Sequence, residues 1–454
     1  MKSHNLCALA ILSLFAFISP DVSGQSQTVV SPQQVLDQAA ANVERYRKDD
    51  VKLIFLDANG EPLKKAGITV NQETHDFLFG ALAFDLVWDE DMTPEQEKVF
   101  KERFSHLFNY AIFPFYWGAY EPAAGHPRWQ RMEPQLAWCL ENGITPKGHP
   151  LAWTNDIGLP GYIMDAGLEE SEKLLEARIY NNVEGFKKEI QLWDVVNEPV
   201  NTVNWEMAHS DTSEQHRYTT DVPLSEIEPW VENAYKTAYK ANPDAHFVLN
   251  EFKQIADTAV RKRFYDLVKM LLDKRTPISG LGIQAHEPRA EWFNPVDIWK
   301  TFEMYSDFGL PLHITEFSPR SGGAGITGTY KSGTWTPQTQ AECAEMMYRL
   351  AFGHPSVVSV NWWGFSDKNS WLPGGGFVTD EYEPKPAYKV LDNLINHEWM
   401  TKDLHETTDR KGNVSFRGFF GQYDVMITTK DGIQKHFSMH VSKDQDNTFV
   451  FRLK

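Results

Sequence analysis

Cysteine is scarce in this chain, which has three cysteines among 454 residues. Cys7 lies in an apolar leader, and Cys139 and Cys343 are about 200 positions apart, so a disulfide framework is not expected. Cys139 and Cys343 both lie in helix-like patterns, which predicts buried structural thiols. We therefore assign the cysteines no chemistry.

Positive charge is also in short supply, with 44 Lys and Arg against 62 Asp and Glu and a formal net charge of −18. Nucleic acid is bound mainly through Lys and Arg contacts to phosphate, so we do not expect a nucleic-acid partner. No membrane-spanning run is evident either. Neutral substrates remain open, and aromatic residues, at 13% of the chain, could supply faces that stack on sugar rings.

The amino terminus has the three parts of a secretory signal peptide. Lys2 supplies the charged start, an apolar run follows from Leu6 to Ile18, and small residues occupy positions 22–24. These features predict a signal peptide over residues 1–24 and a secreted or periplasmic protein. A short buried helix is the alternative interpretation.

From about residue 76 onward, eight apolar runs typical of β-strands alternate with amphipathic helical patterns. The predicted strands are Phe77–Gly80, Tyr110–Phe113, Ile144–His149, Leu192–Val196, Phe247–Asn250, Leu281–His286, Leu312–Thr315 and Val358–Trp363. Leu168–Phe186 and Thr258–Leu272 are two of the helical patterns between them. The alternation predicts an α/β fold, a (β/α)8 TIM barrel over residues 76–400, whose site is formed by the carboxyl ends of the strands.

The flanks of the predicted barrel, residues 25–75 and 401–454, are β-rich in pattern. Val51–Phe55 and Gly67–Val70 bracket the turn-like segment Asp57–Gly60, which predicts an antiparallel hairpin. Short strands punctuated by glycine follow the barrel. We predict that the two flanks join into one small accessory module, similar to a β-sandwich, that either braces the barrel or binds sugar.

The fourth and the seventh predicted strands each end by presenting a glutamate. The first glutamate lies in Trp193–Pro199 and the second in His313–Ser318. Cleavage of a glycosidic bond needs one protonated carboxyl group for the leaving oxygen and one ionised carboxylate that acts as nucleophile or base. Glu198 and Glu316 therefore make a glycoside hydrolase the leading hypothesis.

Several separated motifs of the predicted barrel together resemble glycoside hydrolase family 10, the family of endo-β-1,4-xylanases. The resemblance covers most of the barrel. Its motifs, in chain order, are Phe79–Gly80, Lys147–Trp153, Trp193–Pro199, Gly282–His286, Ile314–Glu316, Trp363–Trp371 and Pro384–Tyr388.

The resemblance implies that Glu198 is the general acid/base and Glu316 the nucleophile of a mechanism that retains the anomeric configuration. Asn197, next to the acid/base, would contact the sugar 2-hydroxyl. Glu198 needs a raised pKa, which apolar and aromatic neighbours and the charge of Glu316 would provide. Gln284 and His286, alternate residues at one strand end, would donate the hydrogen bonds that keep Glu316 ionised.

The resemblance also places His149 and Trp153 in the floor of the sugar site, and Trp363 and Trp371 where they would stack on sugar. His149 and Trp153 could instead be core residues, and the two later tryptophans could form a structural cluster. The polar residues 367–369 lie between these tryptophans and would sit poorly in a core, which favours stacking on sugar.

The second predicted strand departs from the family, whose xylanases typically carry a Glu-Asn-x-x-Lys-Trp pattern that holds the sugars on the non-reducing side of the cut. This chain has Ile112–Trp117 there, so three polar recognition groups are replaced by apolar or aromatic ones. A second departure is Thr154, where the family usually has histidine. A site that recognises one sugar through hydrogen bonds distinguishes it far less well from other sugars once those bonds are missing. Ordinary xylan is therefore in question as the substrate.

The sequence thus predicts a secreted, retaining hydrolase of β-glycosidic bonds in a polysaccharide or oligosaccharide, an endo-1,4-β-xylanase by resemblance, with no metal and no cofactor. One alternative is the same fold acting on a β-glycoside other than xylan. Another is a barrel that binds carbohydrate without catalysis. A metal-dependent barrel hydrolase is a third, because His149, His286 and the two glutamates could suggest a metal site.

Overall fold

The computed structural model describes residues 30–155, 158–210, 218–286 and 289–453, so the predicted signal peptide lies outside the described residues. Its strands are β1 (Lys48–Leu56), β2 (Gly67–Gln72), β3 (Leu78–Leu82), β4 (Tyr110–Pro114), β5 (Thr145–His149), β6 (Leu192–Asn197), β7 (His246–Glu251), β8 (Gly280–Ile283), β9 (Leu312–Phe317), β10 (Val357–Trp362), β11 (Leu404–Thr407), β12 (Asn413–Phe419), β13 (Gly421–Thr428), β14 (Gln434–Val441) and β15 (Thr448–Arg452). Its α-helices are α1 (Pro32–Tyr46), α2 (Phe84–Trp88), α3 (Pro94–Leu107), α4 (Trp117–Tyr120), α5 (Glu133–Glu141), α6 (Gly161–Asp165), α7 (Leu168–Gly185), α8 (Trp205–Ser210), α9 (Leu224–Ala241), α10 (Thr258–Asp273), α11 (Pro295–Ser306), α12 (Pro337–Gly353) and α13 (Pro386–Asn393). Trp129–Arg131 forms a 3-10 turn and Leu394–Glu398 a π-helical turn.

Strands β3 to β10 form one closed barrel in the order β10-β3-β4-β5-β6-β7-β8-β9, and every neighbouring pair is parallel. Helices separate consecutive strands along the chain. This arrangement confirms the predicted (β/α)8 barrel and its eight strands. The carboxyl ends of all eight strands therefore meet at one mouth.

The barrel strands are buried on both faces, because helices cover the outside of the barrel and side chains fill its interior. Every residue of β4, β6 and β9 is buried. In β5, Gly148 lies so close to the Trp193 ring of β6 that a Cβ atom on residue 148 would collide with it. Glycine therefore allows these two strands, which both lead to predicted site residues, to approach closely.

Helix α10 shows how the sequence forms the outer layer. The Asp257 side chain accepts hydrogen bonds from the N–H groups of Ala259 and Val260, which caps the helix start. One apolar stripe then packs inward, with buried residues three to four positions apart. These buried apolar residues are Val260, Phe264, Leu267, Val268 and Leu271.

The composition led to predictions about the cysteines and about membrane-spanning segments. Cys139 of α5 and Cys343 of α12 are buried free thiols, as predicted. In the part of the chain that the structure describes, every helix is too short or too polar to cross a bilayer.

The flanks form two small sheets that enclose a second core. One sheet has the order β12-β1-β15 and the other has the order β11-β2-β13-β14. Their strand pairs are antiparallel, except that β1 and β15 are parallel. Residues buried between the sheets include Leu53, Phe55, Val70, Tyr423 and Val425. The predicted β-sandwich-like module built from both flanks is therefore confirmed.

Two details of the predicted amino-terminal flank are wrong. Residues 57–60 do form a turn, since the Gly60 N–H donates to the Asp57 carbonyl, but β1 and β2 then enter different sheets instead of pairing as a hairpin. The two strands bury their alternate apolar residues in the shared core from opposite sides. The flank also begins with a helix, α1, where Ser31 and Gln34 form a capping box.

The sandwich is joined to the barrel at the amino ends of the barrel strands, opposite the mouth. Arg47, between α1 and β1, donates hydrogen bonds to the carbonyls of Phe352, His354 and Val357. Val357 is the first residue of β10. Helix α1 also packs along α12. These contacts support the interpretation of the sandwich as a brace.

Candidate active site

Glu198 directly follows β6 at the mouth of the barrel and is 7% exposed. Its backbone φ is 58°, in the left-handed region that residues with side chains rarely adopt. Its N–H donates to the Asn250 carbonyl at 2.9 Å, and the Thr202 hydroxyl donates to the Glu198 carbonyl at 2.6 Å. Neighbouring elements thus hold a strained conformation in place, as is common at functional sites.

The Glu198 carboxyl group accepts hydrogen bonds from two side chains. Gln284 Nε2 donates to Oε1 at 2.9 Å, and Trp153 Nε1 donates to Oε2 at 3.0 Å. Burial raises the pKa of Glu198 from 4.5 to about 7, even though these hydrogen bonds favour the ionised form. The main cause is burial, so the closed surroundings of Glu198 matter more than a neighbouring charge.

Glu316 lies in β9 and is 3% exposed. Asn250 Nδ2 donates to its Oε1 at 2.8 Å. His286 Nε2 lies 3.5 Å from Oε2, and His149 Nε2 lies 3.9 Å from Oε1. The same polar network reaches Glu198 through Gln284. The structure therefore brings the two predicted carboxylates together at one mouth.

Asn250, in β7, connects this network and was missed as a site residue. Besides its bond to Glu316, its Nδ2 donates to Asn197 Oδ1 at 2.8 Å, and its Oδ1 accepts from the Thr315 hydroxyl at 2.6 Å. Asn197 is thereby fixed next to the candidate acid/base. A signal was available, because Asn250 is a polar residue at the carboxyl end of a predicted barrel strand.

Gln284 and His286 lie at the site, but the predicted donation from Gln284 to Glu316 is wrong. Gln284 Nε2 donates to Glu198 and, at 3.3 Å, to Asn197 Oδ1. The prediction assumed that Gln284 and His286 are alternate residues of one strand and point to the same side. In the structure β8 ends at residue 283, and Ala285 between them has a φ of 61°, so the strand alternation does not continue. Gln284 Oε1 pairs with His286 Nε2 at 2.7 Å.

His286 is neutral in this setting, because burial lowers its pKa to about 3. Its Nε2 faces Gln284 Oε1 at 2.7 Å and Glu316 Oε2 at 3.5 Å, so the proton of the ring lies on this nitrogen. His286 therefore does face Glu316, as predicted.

His149 ends β5 beneath the carboxylates and is 1% exposed. Its Nδ1 pairs with Asp194 Oδ2 at 2.7 Å, and Lys147 Nζ pairs with Asp194 Oδ1 at 2.7 Å. Burial alone would raise the pKa of Asp194, but Lys147 and His149 hold it below its ordinary value. Among the described residues, His149 Nε2 has no hydrogen-bond partner although it is buried. It therefore presents a polar atom to whatever occupies the site.

A cavity of about 570 Å³ opens beside Glu198. Its lining combines charged, polar and apolar side chains that follow β6 to β9, namely Glu198, Tyr218, Phe252, Lys253, Gln284, His286, Arg289, Ala290 and Thr327. The Trp371 ring stands at its edge, 4.8 Å from the His286 ring and 4.6 Å from the Arg289 guanidinium. An elongated polar ligand could lie in this cavity with one end at Glu198.

The opposite side of the mouth is aromatic. The Tyr116 ring, two residues after β4, lies 5.4 Å from the His149 ring and 5.8 Å from the Trp153 ring. The Trp363 ring, after β10, lies 5.1 Å from the His149 ring. The Phe84 ring lies 5.6 Å from Trp363 and 5.9 Å from Tyr116. The segment that departs from the family therefore reaches the site through Tyr116, which we did not predict as a site residue.

Two of the polar residues between Trp363 and Trp371, Asp367 and Lys368, form ion pairs within the protein. Asp367 pairs with the buried Lys385 at 3.0 Å, and Lys368 pairs with Asp89 at 2.7 Å. Their polarity is thus explained without a ligand, so a stacking role for the two tryptophans depends on where their rings lie.

The chain matches the family described as Glycosyl hydrolase family 10 over residues 77–394, a range that contains all eight barrel strands. Endo-1,4-beta-xylanase B of Thermotoga neapolitana is 28% identical over 292 residues, which cover 62% of this chain and 78% of that relative. The structure of xylanase 10B from Thermotoga petrophila RKU-1 in complex with xylobiose is similar with a TM-score of 0.57 and 26% identity, covering 71% of this chain and 95% of that one.

A second relative is similar beyond the barrel. Anti-sigma-I factor RsgI6 of Acetivibrio thermocellus is 26% identical over 432 residues, which cover 92% of this chain and 50% of the relative. The chain therefore spans about half the length of that protein.

Proposed function

The chain belongs to glycosyl hydrolase family 10, and we propose that it cleaves β-glycosidic bonds of a xylan-type polysaccharide in two steps that retain the anomeric configuration. Glu316 is the nucleophile and Glu198 the general acid/base in this proposal. The observation that carries it is that two buried carboxylates, Glu198 and Glu316, share one polar network at the mouth of the barrel, and that burial raises the pKa of Glu198 to about 7.

In the first step, an oxygen of ionised Glu316 forms a bond to the anomeric carbon while the bond from that carbon to the glycosidic oxygen breaks. The leaving oxygen takes the proton of Glu198. In the second step, Glu198, now a carboxylate, takes a proton from water, and the water oxygen replaces Glu316 on the anomeric carbon. Both carboxyl groups then have their original protonation states.

A pKa of about 7 suits Glu198 to both steps. Near neutral pH the group is protonated often enough to act as an acid and loses its proton easily enough to act as a base. The donors Gln284 and Trp153 hold the carboxyl group in one orientation and stabilise the carboxylate that the first step leaves behind.

The surroundings of Glu316 suit an ionised nucleophile. The Asn250 amide donates to one oxygen, which favours the carboxylate form. The His286 ring near the other oxygen is neutral, because burial lowers its pKa to about 3. A neutral ring does not form an ion pair with the carboxylate, which leaves Glu316 more nucleophilic than it would be beside a charged histidine.

Xylan as the substrate is supported by the relatives named endo-1,4-beta-xylanase and by the similar structure in complex with xylobiose. The aromatic side of the mouth favours a second candidate, the same mechanism on a different β-glycoside. Tyr116 lies against His149 and Trp153, on the strand where family xylanases carry polar recognition groups. Fewer hydrogen bonds to a sugar there would weaken selection for xylose.

The decisive test compares wild type with Glu316→Ala on aryl β-glycosides of xylose, xylobiose, glucose and cellobiose and on a panel of plant and microbial polysaccharides. We expect the variant to lose activity on the order of 10⁵-fold, because removal of a nucleophile removes the first step. Glu172→Ala, an exposed position on α7, is the matched control. Activity that survives Glu316→Ala would overturn the mechanism, and turnover only of glycosides without xylose would select the second candidate.

The two remaining alternatives are separated by the same assay. A barrel that only binds carbohydrate would show affinity for a polysaccharide without turnover. In residues 30–155, 158–210, 218–286 and 289–453, no group of three His, Cys, Asp or Glu side chains is arranged to hold a metal ion. We expect turnover to persist in EDTA, whereas a metal-dependent hydrolase would lose its activity.

We also propose that the protein is exported, with residues 1–24 removed as a signal peptide. Amino-terminal sequencing of the protein from the culture medium or periplasm tests this. A mature chain that begins near residue 25 is the expected result, and a cytoplasmic protein that retains Lys2 would contradict it.

A further inference from the structure

We propose that a second cavity at the barrel mouth binds a sugar of the glycone, the part of the substrate that becomes attached to Glu316. This cavity of about 410 Å³ is lined by residues 82–91 and 364–369, and we name it the Trp88 pocket. In this proposal it replaces the polar recognition groups that the second barrel strand lacks. The inference rests on the proposed function.

The position of the pocket follows from the barrel topology. Residues 82–91 run from the last residue of β3 through α2, residues 364–369 follow β10, and these two strands are neighbours in the barrel. The pocket therefore opens on the same face as Glu198 and Glu316. The 570 Å³ cavity lies on the other side, after β6 to β9, and contains Glu198.

The chemistry of the proposed reaction assigns the two cavities to different parts of the substrate. Glu198 protonates the leaving oxygen, so the cavity that contains Glu198 receives the leaving group. The glycone must then extend the other way, toward the side formed by β3, β4 and β10. The Trp88 pocket lies on that side.

Aromatic rings connect the pocket with the carboxylates without a break. The His149 ring, whose Nε2 lies 3.9 Å from Glu316, is 5.1 Å from Trp363. Trp363 is 5.6 Å from Phe84, and Phe84 is 4.9 Å from Trp88. This row of rings runs from Glu316 to Trp88, which is its exposed end.

The pocket has the two kinds of group that sugars need, an aromatic face and polar atoms. Trp88 is 39% exposed, and its ring is held by Phe84 at 4.9 Å and Tyr116 at 5.7 Å. A fixed, exposed indole is suited to stack on the apolar face of a sugar ring. Beside it, the Asn369 amide donates to the Asp85 carboxylate at 3.0 Å, and this pair retains acceptor positions for sugar hydroxyls.

The charge of the pocket selects an uncharged sugar. Its acidic residues exceed the cations that pair with them. The acidic residues are Asp85, Asp89, Glu90 and Asp91, and the cations are Lys368, which pairs with Asp89, and Arg131, which pairs with Glu90. A uronic acid in this position would meet net negative charge, so we infer that neutral sugars are accepted and uronates are rejected.

The test measures how much a second glycone sugar contributes. We compare kcat/KM for 4-nitrophenyl β-xylobioside with that for 4-nitrophenyl β-xyloside, and for the corresponding cellobioside and glucoside. In Trp88→Ala we expect this ratio to fall about tenfold or more, because the second sugar loses its stacking partner. Asn369→Ala, which leaves the tryptophan in place, should lower the ratio about threefold to tenfold.

Tyr239→Ala is the matched control, because Tyr239 is an aromatic residue that is 49% exposed but lies on α9, away from the pocket. Its ratio should equal that of wild type, and thermal melting should show all three variants folded. Active wild type with unchanged ratios in both Trp88→Ala and Asn369→Ala would overturn the pocket while leaving the proposed function intact. Wild type that hydrolyses none of the four glycosides would overturn the proposed function and the pocket with it.

Inhibition tests the inferred charge selection. Xylobiose and a disaccharide with glucuronic acid in place of its non-reducing xylose are compared as competitive inhibitors of the wild type. We expect the acidic disaccharide to bind at least about tenfold more weakly at low ionic strength. Equal inhibition by both disaccharides would overturn the claim that the pocket selects an uncharged sugar.

Discussion

The two sides of the barrel mouth hold their side chains in different ways. On the side of Glu198, side chains from β6 to β9 form a continuous hydrogen-bonded network through Asn250 and Gln284. On the side of Trp88, side chains after β3, β4 and β10 meet through ring contacts. The first side fixes protons and charges, and the second offers apolar faces.

In the proposed mechanism, the Glu198 side carries out the reaction and the Trp88 side selects the sugar. A hydrogen-bonded network tolerates little change, because each lost partner leaves a buried polar group unsatisfied. Ring contacts can be rearranged with smaller losses, because they depend on shape more than on individual donors. The same cleavage chemistry can therefore persist while the sugar that is recognised changes.

After Glu316→Ala, the largest effect is expected from replacing Glu198, the proposed acid/base on the hydrogen-bonded side of the mouth. In Glu198→Gln we expect kcat to fall about 10² to 10⁴-fold on substrates with a sugar leaving group, because the leaving oxygen then departs without a proton. The first step should be far less affected for a dinitrophenyl glycoside, whose leaving group needs no proton. Steady-state and burst kinetics on both substrate types measure this.

Equal losses on sugar and dinitrophenyl leaving groups would contradict the role of Glu198. The control is Trp88→Ala, on the other side of the mouth, whose effect should not depend on the pKa of the leaving group.

The pH profile sharpens the comparison, because its alkaline limb reports on the protonation of Glu198. Burial raises the pKa of Glu198 to about 7, and the protonated form is required for the first step. We therefore expect kcat/KM to fall about tenfold per pH unit well above pH 7. The Trp153 N–H stabilises the ionised form, so Trp153→Phe should raise this pKa and move the alkaline limb to higher pH.

A pH profile of kcat/KM for both proteins measures the shift. An alkaline limb that stays in place, or moves to lower pH in Trp153→Phe, would show that another group controls it.

The smallest expected effect is on stability. The folded protein holds the pKa of Glu198 above its ordinary value of 4.5. At pH 8 the carboxyl group is ionised in both the folded and the unfolded chain, and its burial then lowers the free energy of unfolding. Below about pH 4.5 the group is protonated in both states, and this loss disappears. The raised pKa corresponds to a loss of about 3 kcal/mol of stability at pH 8, which the uncharged glutamine in Glu198→Gln avoids. Glutamine has one acceptor oxygen where Glu198 has two, so one donor loses its partner, which offsets part of this gain. We therefore expect the variant to be about 1 kcal/mol more stable than wild type at pH 8 and to lose this advantage toward pH 5.

Urea denaturation at both pH values checks this result. Glu172→Gln, at an exposed position, should show no such pH dependence. The difference in stability between Glu198→Gln and wild type should rise from pH 5 to pH 8. A difference that falls over this range would contradict the raised pKa.

The sequence was sufficient for the barrel because its strands are buried on both faces and appear as apolar runs. It was also sufficient to place Glu198 and Glu316 at one mouth, because both lie at carboxyl ends of strands. It failed for β1 and β2, since a turn signal does not say whether the strands beyond it pair with each other. Helix α1 was missed although its capping residues Ser31 and Gln34 were visible.

Details of the site depend on backbone conformation that strand periodicity does not include. The positive φ of Ala285 interrupts the strand alternation between Gln284 and His286, and no alternation rule predicts it. Tyr116 was seen as a departure from the family, but only its contacts with His149 and Trp153 show that it reaches the carboxylates. The Trp88 pocket is formed by two segments that are far apart in sequence, so it is visible only in three dimensions.

The most direct test of the central claim is to trap the covalent intermediate. The enzyme is incubated with a 2-deoxy-2-fluoro dinitrophenyl glycoside of the sugar that it turns over, and the labelled peptide is identified by mass spectrometry. We predict one fluoroglycosyl group per chain, attached to Glu316. Attachment to another residue, or turnover of this glycoside with no label on Glu316, would contradict the account.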